Sequence, residues 1–142
     1  MMGSMWLALA ILLVTFIIIQ GSTSVTAVAE EINWPDEQQC SMLETPDSLV
    51  RGWCSMIIRS KGNCVACHAI NITPWPQDLP SAGNIAPPLV AMQARFPDKF
   101  RLRAQIRDAT ASNPNSTMPP FGKHKILTDQ EIDDIVELLY SI

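Results

Sequence analysis

The first 29 residues carry no charged side chain, and the 10 basic and 14 acidic groups of the chain all lie beyond them. Histidine occurs twice and cysteine four times. That scarcity argues against a structural zinc site, because a single C-x-x-C spacing is present and only Cys40, Cys54 and His124 remain as further ligands. Strand-like alternation is absent, as are internal repeats and low-complexity tracts. A thioredoxin-like dithiol therefore lacks the βαβ setting it needs. The net charge of −4 is too mild to imply nucleic-acid binding.

What the uncharged start does contain is an almost continuous apolar run from Trp6 to Ile19. A polar Gly21-Ser22-Thr23-Ser24 stretch and the small-x-small run Ala27-Val28-Ala29 follow it, just before Glu30. This is the layout of a secretory signal peptide over residues 1–29, cleaved after Ala29. The run is short for a membrane span, which needs about 20 residues. No Lys or Arg precedes it, so an uncleaved anchor stays open as the alternative. The remainder suffices for one small domain, with an N-terminal arm over 30–46 and the domain proper over 47–142. Export implies the periplasm, an oxidising compartment.

Cys64-Val65-Ala66-Cys67-His68 carries the chemistry. A C-x-x-C-H run lets two thiols add to the two vinyl groups of one haem, and the adjacent imidazole then binds the iron. Covalent haem attachment takes place outside the bacterial inner membrane, which agrees with an exported chain. With that pair assigned to haem c, Cys40 and Cys54 remain as an even pair 14 positions apart. A disulfide between them would close a loop of about 15 residues, contributing roughly 3 kcal/mol by loop-closure entropy. A reactive thiol is the alternative for either.

The rest of the chain reads as helices joined by loops. Thr45 as N-cap, with Pro46 at the first helical position, predicts a helix whose apolar stripe is Leu49, Trp53, Met56 and Ile57. Lys61-Gly62-Asn63 stops it, with Gly62 in the left-handed C′ conformation. Residues 71–88 are proline-rich and predict a loop. A second helix is expected from Asp98 to Thr110, burying Phe100, Leu102 and Ile106. Thr128-Asp129-Gln130-Glu131 is a capping box opening a last helix, with Ile132, Ile135, Val136, Leu139 and Ile142 on one face. The fold class is all-α: three or more helices around one covalently bound haem.

The pattern resembles class I cytochromes c. These place a methionine ligand on a loop ahead of the C-terminal helix, and Met118, beside Pro119 and Pro120, stands at that position. A thioether ligand favours Fe(II) and suits an electron acceptor. Exposed-looking His124 is the rival sixth ligand. Met56 and Met92 are read as core. In this class the metal-bound histidine donates its other N–H to a proline carbonyl, for which Ala86-Pro87-Pro88-Leu89 supplies Pro87, with Leu89 packing on the haem. Five basic residues (Arg95, Lys99, Arg101, Arg103, Arg107) and five acidic ones (Asp129, Glu131, Asp133, Asp134, Glu137) form two runs. They read as solvated helix faces, or as separated patches that steer docking. One or two of the arginines could also pair with haem propionates.

Gly62 to His68, Gly83 to Leu89, Asp108-Ala109, Asn113-Pro114, Thr117-Met118-Pro119-Pro120-Phe121-Gly122 and Leu127 to Ile132 together resemble the SoxX family. These are small monohaem subunits of sulfur-oxidation SoxAX complexes. The resemblance covers roughly residues 47–142. It implies a heterodimer with a SoxA-like haem subunit, where thiosulfate is oxidatively joined to a cysteine of a SoxYZ carrier (an L-cysteine S-thiosulfotransferase reaction). The reacting cysteine belongs to the partner. This chain then performs no bond chemistry: Cys64 and Cys67 hold the haem, His68 and Met118 ligate the iron, and Pro87 orients His68. Electrons pass one at a time to a small soluble cytochrome c. Two other functions stay open, a free monohaem shuttle unconnected with sulfur and a haem sensor with an open iron. A peroxidase-like enzyme lacks a recognisable distal His/Arg pair.

Overall fold

The computed structural model describes residues 32–142. The expected signal peptide, its cleavage site and the alternative anchor over 1–29 lie outside the described residues. Among the described residues no helix is long and apolar enough to cross a membrane.

The N-terminal arm contains a helix that the sequence reading missed, α1 (Glu37–Met42). Six residues are too few to display a hydrophobic period. The signal was Asp36, whose carboxylate accepts from the Gln39 amide at 2.7 Å while the Gln39 side chain accepts the Asp36 N–H at 2.9 Å. A Cys40–Cys54 disulfide, with Cα atoms 5.5 Å apart, ties α1 to the next helix. The arm is also pinned by aromatics: Trp53 Nε1–H donates to the Pro35 carbonyl at 2.6 Å. The Trp53 ring stands 5.6 Å from Trp34 and 5.9 Å from Trp75.

Helix α2 (Ser48–Ile57) begins later than its sequence suggests. Thr45 precedes a proline, which biases it to extended backbone. Asp47 is the cap instead, its carboxylate accepting from the Leu49 and Val50 amides at 2.8 and 3.0 Å. Trp53, Met56 and Ile57 are buried. Gly62 does not take the left-handed conformation; Asn63 does, at φ 44°. Asparagine tolerates that region better than most residues.

A 3₁₀ turn over Cys64–Ala66 leads into β1 (His68–Ile70), which pairs in parallel with β2 (Ala86–Leu89). This two-stranded ladder departs from a strictly helical fold. It is too short and proline-rich to show alternation, and it ends the predicted 71–88 loop early. Helix α3 (Met92–Arg95) is one further turn. Helix α4 (Lys99–Arg107) is capped by Asp98 and stops short of Thr110, because Asp108 leaves helical backbone and caps a 3₁₀ turn over Ala109–Ala111. Leu102 and Ile106, four apart, face the core. Phe100, two residues before that stripe, is 80% exposed, contrary to the expected burial.

Helix α5 (Asp129–Ser141) starts at the Thr128/Glu131 capping box and buries Ile132, Ile135, Val136, Leu138 and Leu139. Ile142 is half-buried. It crosses α2 closely: a Cβ on Gly52 would lie 2.3 Å from the Asp134 carbonyl oxygen, so only glycine allows this approach. At the same crossing the Arg51 guanidinium spans both oxygens of the buried Asp134 carboxylate, at 2.8 and 2.9 Å. Gln130 adds a hydrogen bond at 3.1 Å. The crossing thus places its one buried charge with a partner already in position.

Candidate functional site

The Cys64–Ala66 turn closes through the Ala66 N–H to the Asn63 carbonyl and the Cys67 N–H to the Cys64 carbonyl, both at 3.1 Å. Side chains three apart eclipse in such a turn, which presents Cys64 and Cys67 on one side. Both are free thiols. Burial of the Cys64 sulfur pushes its thiol up to about 12. A dithiol oxidoreductase needs the opposite shift, toward thiolate. The zinc alternative loses its donors as well: Cys40 and Cys54 are bonded to each other, and His124 is exposed. Among the described residues no three His, Cys, Asp or Glu side chains cluster to hold a metal.

Residues 83–86 run along this motif. The Gly83 N–H donates to the Val65 carbonyl at 2.8 Å, and the Ala86 N–H to the Cys67 carbonyl at 2.9 Å. A Cβ on Gly83 would come within 2.2 Å of the Ala66 oxygen, so the segment leading into β2 can lie this close only with glycine there. That placement, with His68 opposite Ala86 in the ladder, brings the His68 imidazole to the Pro87 carbonyl: Nδ1 and the oxygen are 2.6 Å apart. A carbonyl can only accept, so Nδ1 carries the proton and Nε2 presents a free lone pair. Leu89, at the end of the same strand, is partly buried against the core.

Met118 is partly buried and packs against the core. Its amide donates to the Ser116 hydroxyl oxygen at 3.2 Å, and Pro119 and Pro120 follow directly. His124 lies in an exposed turn beyond buried Phe121. The residues present therefore fit a covalently held haem: two free thiols in one turn, an imidazole with a fixed tautomer, and a half-buried thioether on a proline-bounded loop.

The two charge runs are not the separated patches expected of a docking dipole. Arg103 bridges Asp129 and Asp133 at 3.0 and 2.5 Å, and Lys99 meets Glu137 at 2.7 Å. Helices α4 and α5 pack against each other, and these two α4 cations meet α5 carboxylates across that contact. Asp134 is taken by Arg51, and Glu131 by Lys61. The Arg95 Nη1–H donates to the Pro88 carbonyl at 2.7 Å, beside the carbonyl that holds His68. Sequence reasoning grouped Arg95 with its neighbours because separation along the chain does not show which cations meet a carboxylate.

The cytochrome c family model matches residues 58–142, so the chain belongs to the cytochrome c family. It is a haem-carrying electron-transfer cytochrome. Within that family it is SoxX-like. Its fold is similar to a chain in the crystal structure of SoxXA from P. pantotrophus, with TM-score 0.57 and 26% identity, covering 76% of this chain and 97% of that one. A relative described as "Uncharacterized lipoprotein" from Aquifex aeolicus (strain VF5) is 38% identical over 81 residues, 57% of this chain. The match spans 37% of that relative's length.

Proposed function

We propose that the chain is the electron-accepting monohaem subunit of a SoxAX-type complex in the periplasm. There it serves the oxidative coupling of thiosulfate to a cysteine on a SoxYZ-type carrier. The observation that carries the reading is the likeness to the SoxXA chain, which extends over 97% of that chain's length. Export, cleavage after Ala29 and a domain over 47–142 belong to the same reading. The lipoprotein description of the Aquifex relative supports export.

Haem c, when bound, supplies a one-electron Fe(III)/Fe(II) couple. Cys64 and Cys67 would hold it by thioethers formed by adding their thiols to its two vinyl groups. His68 offers Nε2 to the iron while the Pro87 carbonyl fixes its ring. Met118 would supply a second iron ligand, whose soft sulfur would raise the potential and favour acceptance of electrons. Leu89 shields the group from water. Arg95, bound to the strand whose Pro87 carbonyl fixes His68, would be placed to pair with a propionate. No side chain of this protein enters bond chemistry; the electrons leave to a small soluble cytochrome c.

The test is reduction of this chain's haem in a reconstituted mixture. With a SoxA-type subunit, a SoxYZ-type carrier and thiosulfate, the reduced-haem absorption bands should appear, and omitting the carrier should abolish them. Bands that fail to appear in the complete mixture, while dithionite still reduces the haem, would count against the sulfur reading.

A further inference from the structure

The segment bearing Met118 is a loop closed at its base. The Arg107 carbonyl accepts from the Gly122 and Lys123 amides at 3.0 and 3.1 Å, joining the residue before the loop to the residues after it. Asp108 repeats that closure with its side chain. One carboxylate oxygen accepts from the Thr110 amide at 3.1 Å and from the Thr110 hydroxyl. The other meets Lys123 Nζ at 3.0 Å. Residues 110 and 123 bracket Met118, so a single carboxylate ties the entry of the loop to its exit. Burial does little of this holding. Ala109 and Phe121 are buried anchors at either end, while every residue from 110 to 120 is exposed or half-buried. Inside, the turn contacts are local: Asn113 Oδ1 accepts from the Asn115 amide and the Ser116 hydroxyl from Met118, both at 3.2 Å.

We infer that Asp108 is a positioning residue for the sixth ligand: its carboxylate, shared between Thr110 and Lys123, keeps the loop shut and the Met118 thioether presented. The inference rests on the reading that Met118 ligates the iron. A loop held by its base opens when the base is weakened, and an external ligand can then take the place of the thioether in proportion to the open fraction.

The experiment uses haem-loaded protein and imidazole as the probe. In the ferric wild type, the far-red band of methionine-ligated haem should be present and imidazole should displace it only at high concentration. Asp108→Asn and Lys123→Gln should each raise imidazole affinity by about three- to tenfold, the scale of losing one charge-assisted hydrogen bond that is partly exposed. Asp108→Glu should recover part of the wild-type behaviour. Lys123 is half in solvent, so Lys123→Gln keeps the test usable if Asp108→Asn folds poorly. Equal imidazole affinity in wild type and Lys123→Gln would overturn the inference, because the carboxylate would then serve only the Thr110 turn. A wild type without the far-red band would overturn something different, the Met118 ligation itself.

Discussion

At the scale of residues, the site depends on which atom of each side chain is already committed. Nδ1 of His68 is taken by the Pro87 carbonyl, which leaves one nitrogen for a metal. Met118 has its amide held by Ser116 and its thioether uncommitted. Replacing Met118 by Ala should abolish the far-red band of the ferric haem and lower the reduction potential, since a soft ligand that favours Fe(II) is lost. Potentiometry with an optical readout checks both, and an unchanged band would assign the sixth ligand elsewhere. Part of this was legible in the sequence, because the C-x-x-C-H spacing is fixed by haem attachment, while Pro87 was reached through the resemblance to class I cytochromes c. Asp108, Lys123 and Arg95 were not. Their roles depend on carbonyls and carboxylates brought near by folding, and a lone charged residue carries no periodic or motif signal of that.

At the scale of elements, helices with strong caps or long stripes could be read directly, and short ones could not. The Thr128/Glu131 box located α5, whereas α1 and α3 are too brief to establish a period. The start of α2 shifted because an aspartate two residues on competes for the same cap. Elements are also joined by charge. Glu131 caps α5 and accepts from Lys61, just ahead of the cysteine motif. Burial alone would raise its pKa, but hydrogen bonds from Lys61 and Thr128 outweigh that and hold it below the ordinary glutamate range. A carboxyl depressed in the folded state contributes stability that is present above its unfolded pKa and lost as pH falls through its folded one. Glu131 therefore stabilises the fold at neutral pH and stops doing so in the acid range below ordinary glutamate values. Denaturant unfolding from neutral to acid pH should show Glu131→Gln less stable than wild type at neutral pH, with the difference shrinking under acid. A constant difference at all pH values would assign the effect of the substitution to packing instead.

At the scale of the whole molecule, an aromatic group and a disulfide attach the arm to a small helical body. Reading the sequence placed Cys40 and Cys54 as a pair by elimination, but not the helix that one of them sits on. Converting both to serine removes a cross-link spanning 14 positions, and should cost about 3 kcal/mol through the unfolded state. Thermal unfolding of the haem-loaded variant checks this, and a change under about 1 kcal/mol would mean that the unfolded chain is restrained by other means. Lys99 and Arg103 join α4 to α5 through Glu137, Asp129 and Asp133, and the identity of the partner is the central question. The most direct test is purification of the native assembly from thiosulfate-grown cells, with the intact mass of every chain. The expected result is a larger c-type cytochrome in fixed stoichiometry with this chain, which itself carries one haem. Recovery of this chain alone, with one haem and no companion, would overturn membership of a SoxAX-type complex and make it a free electron shuttle.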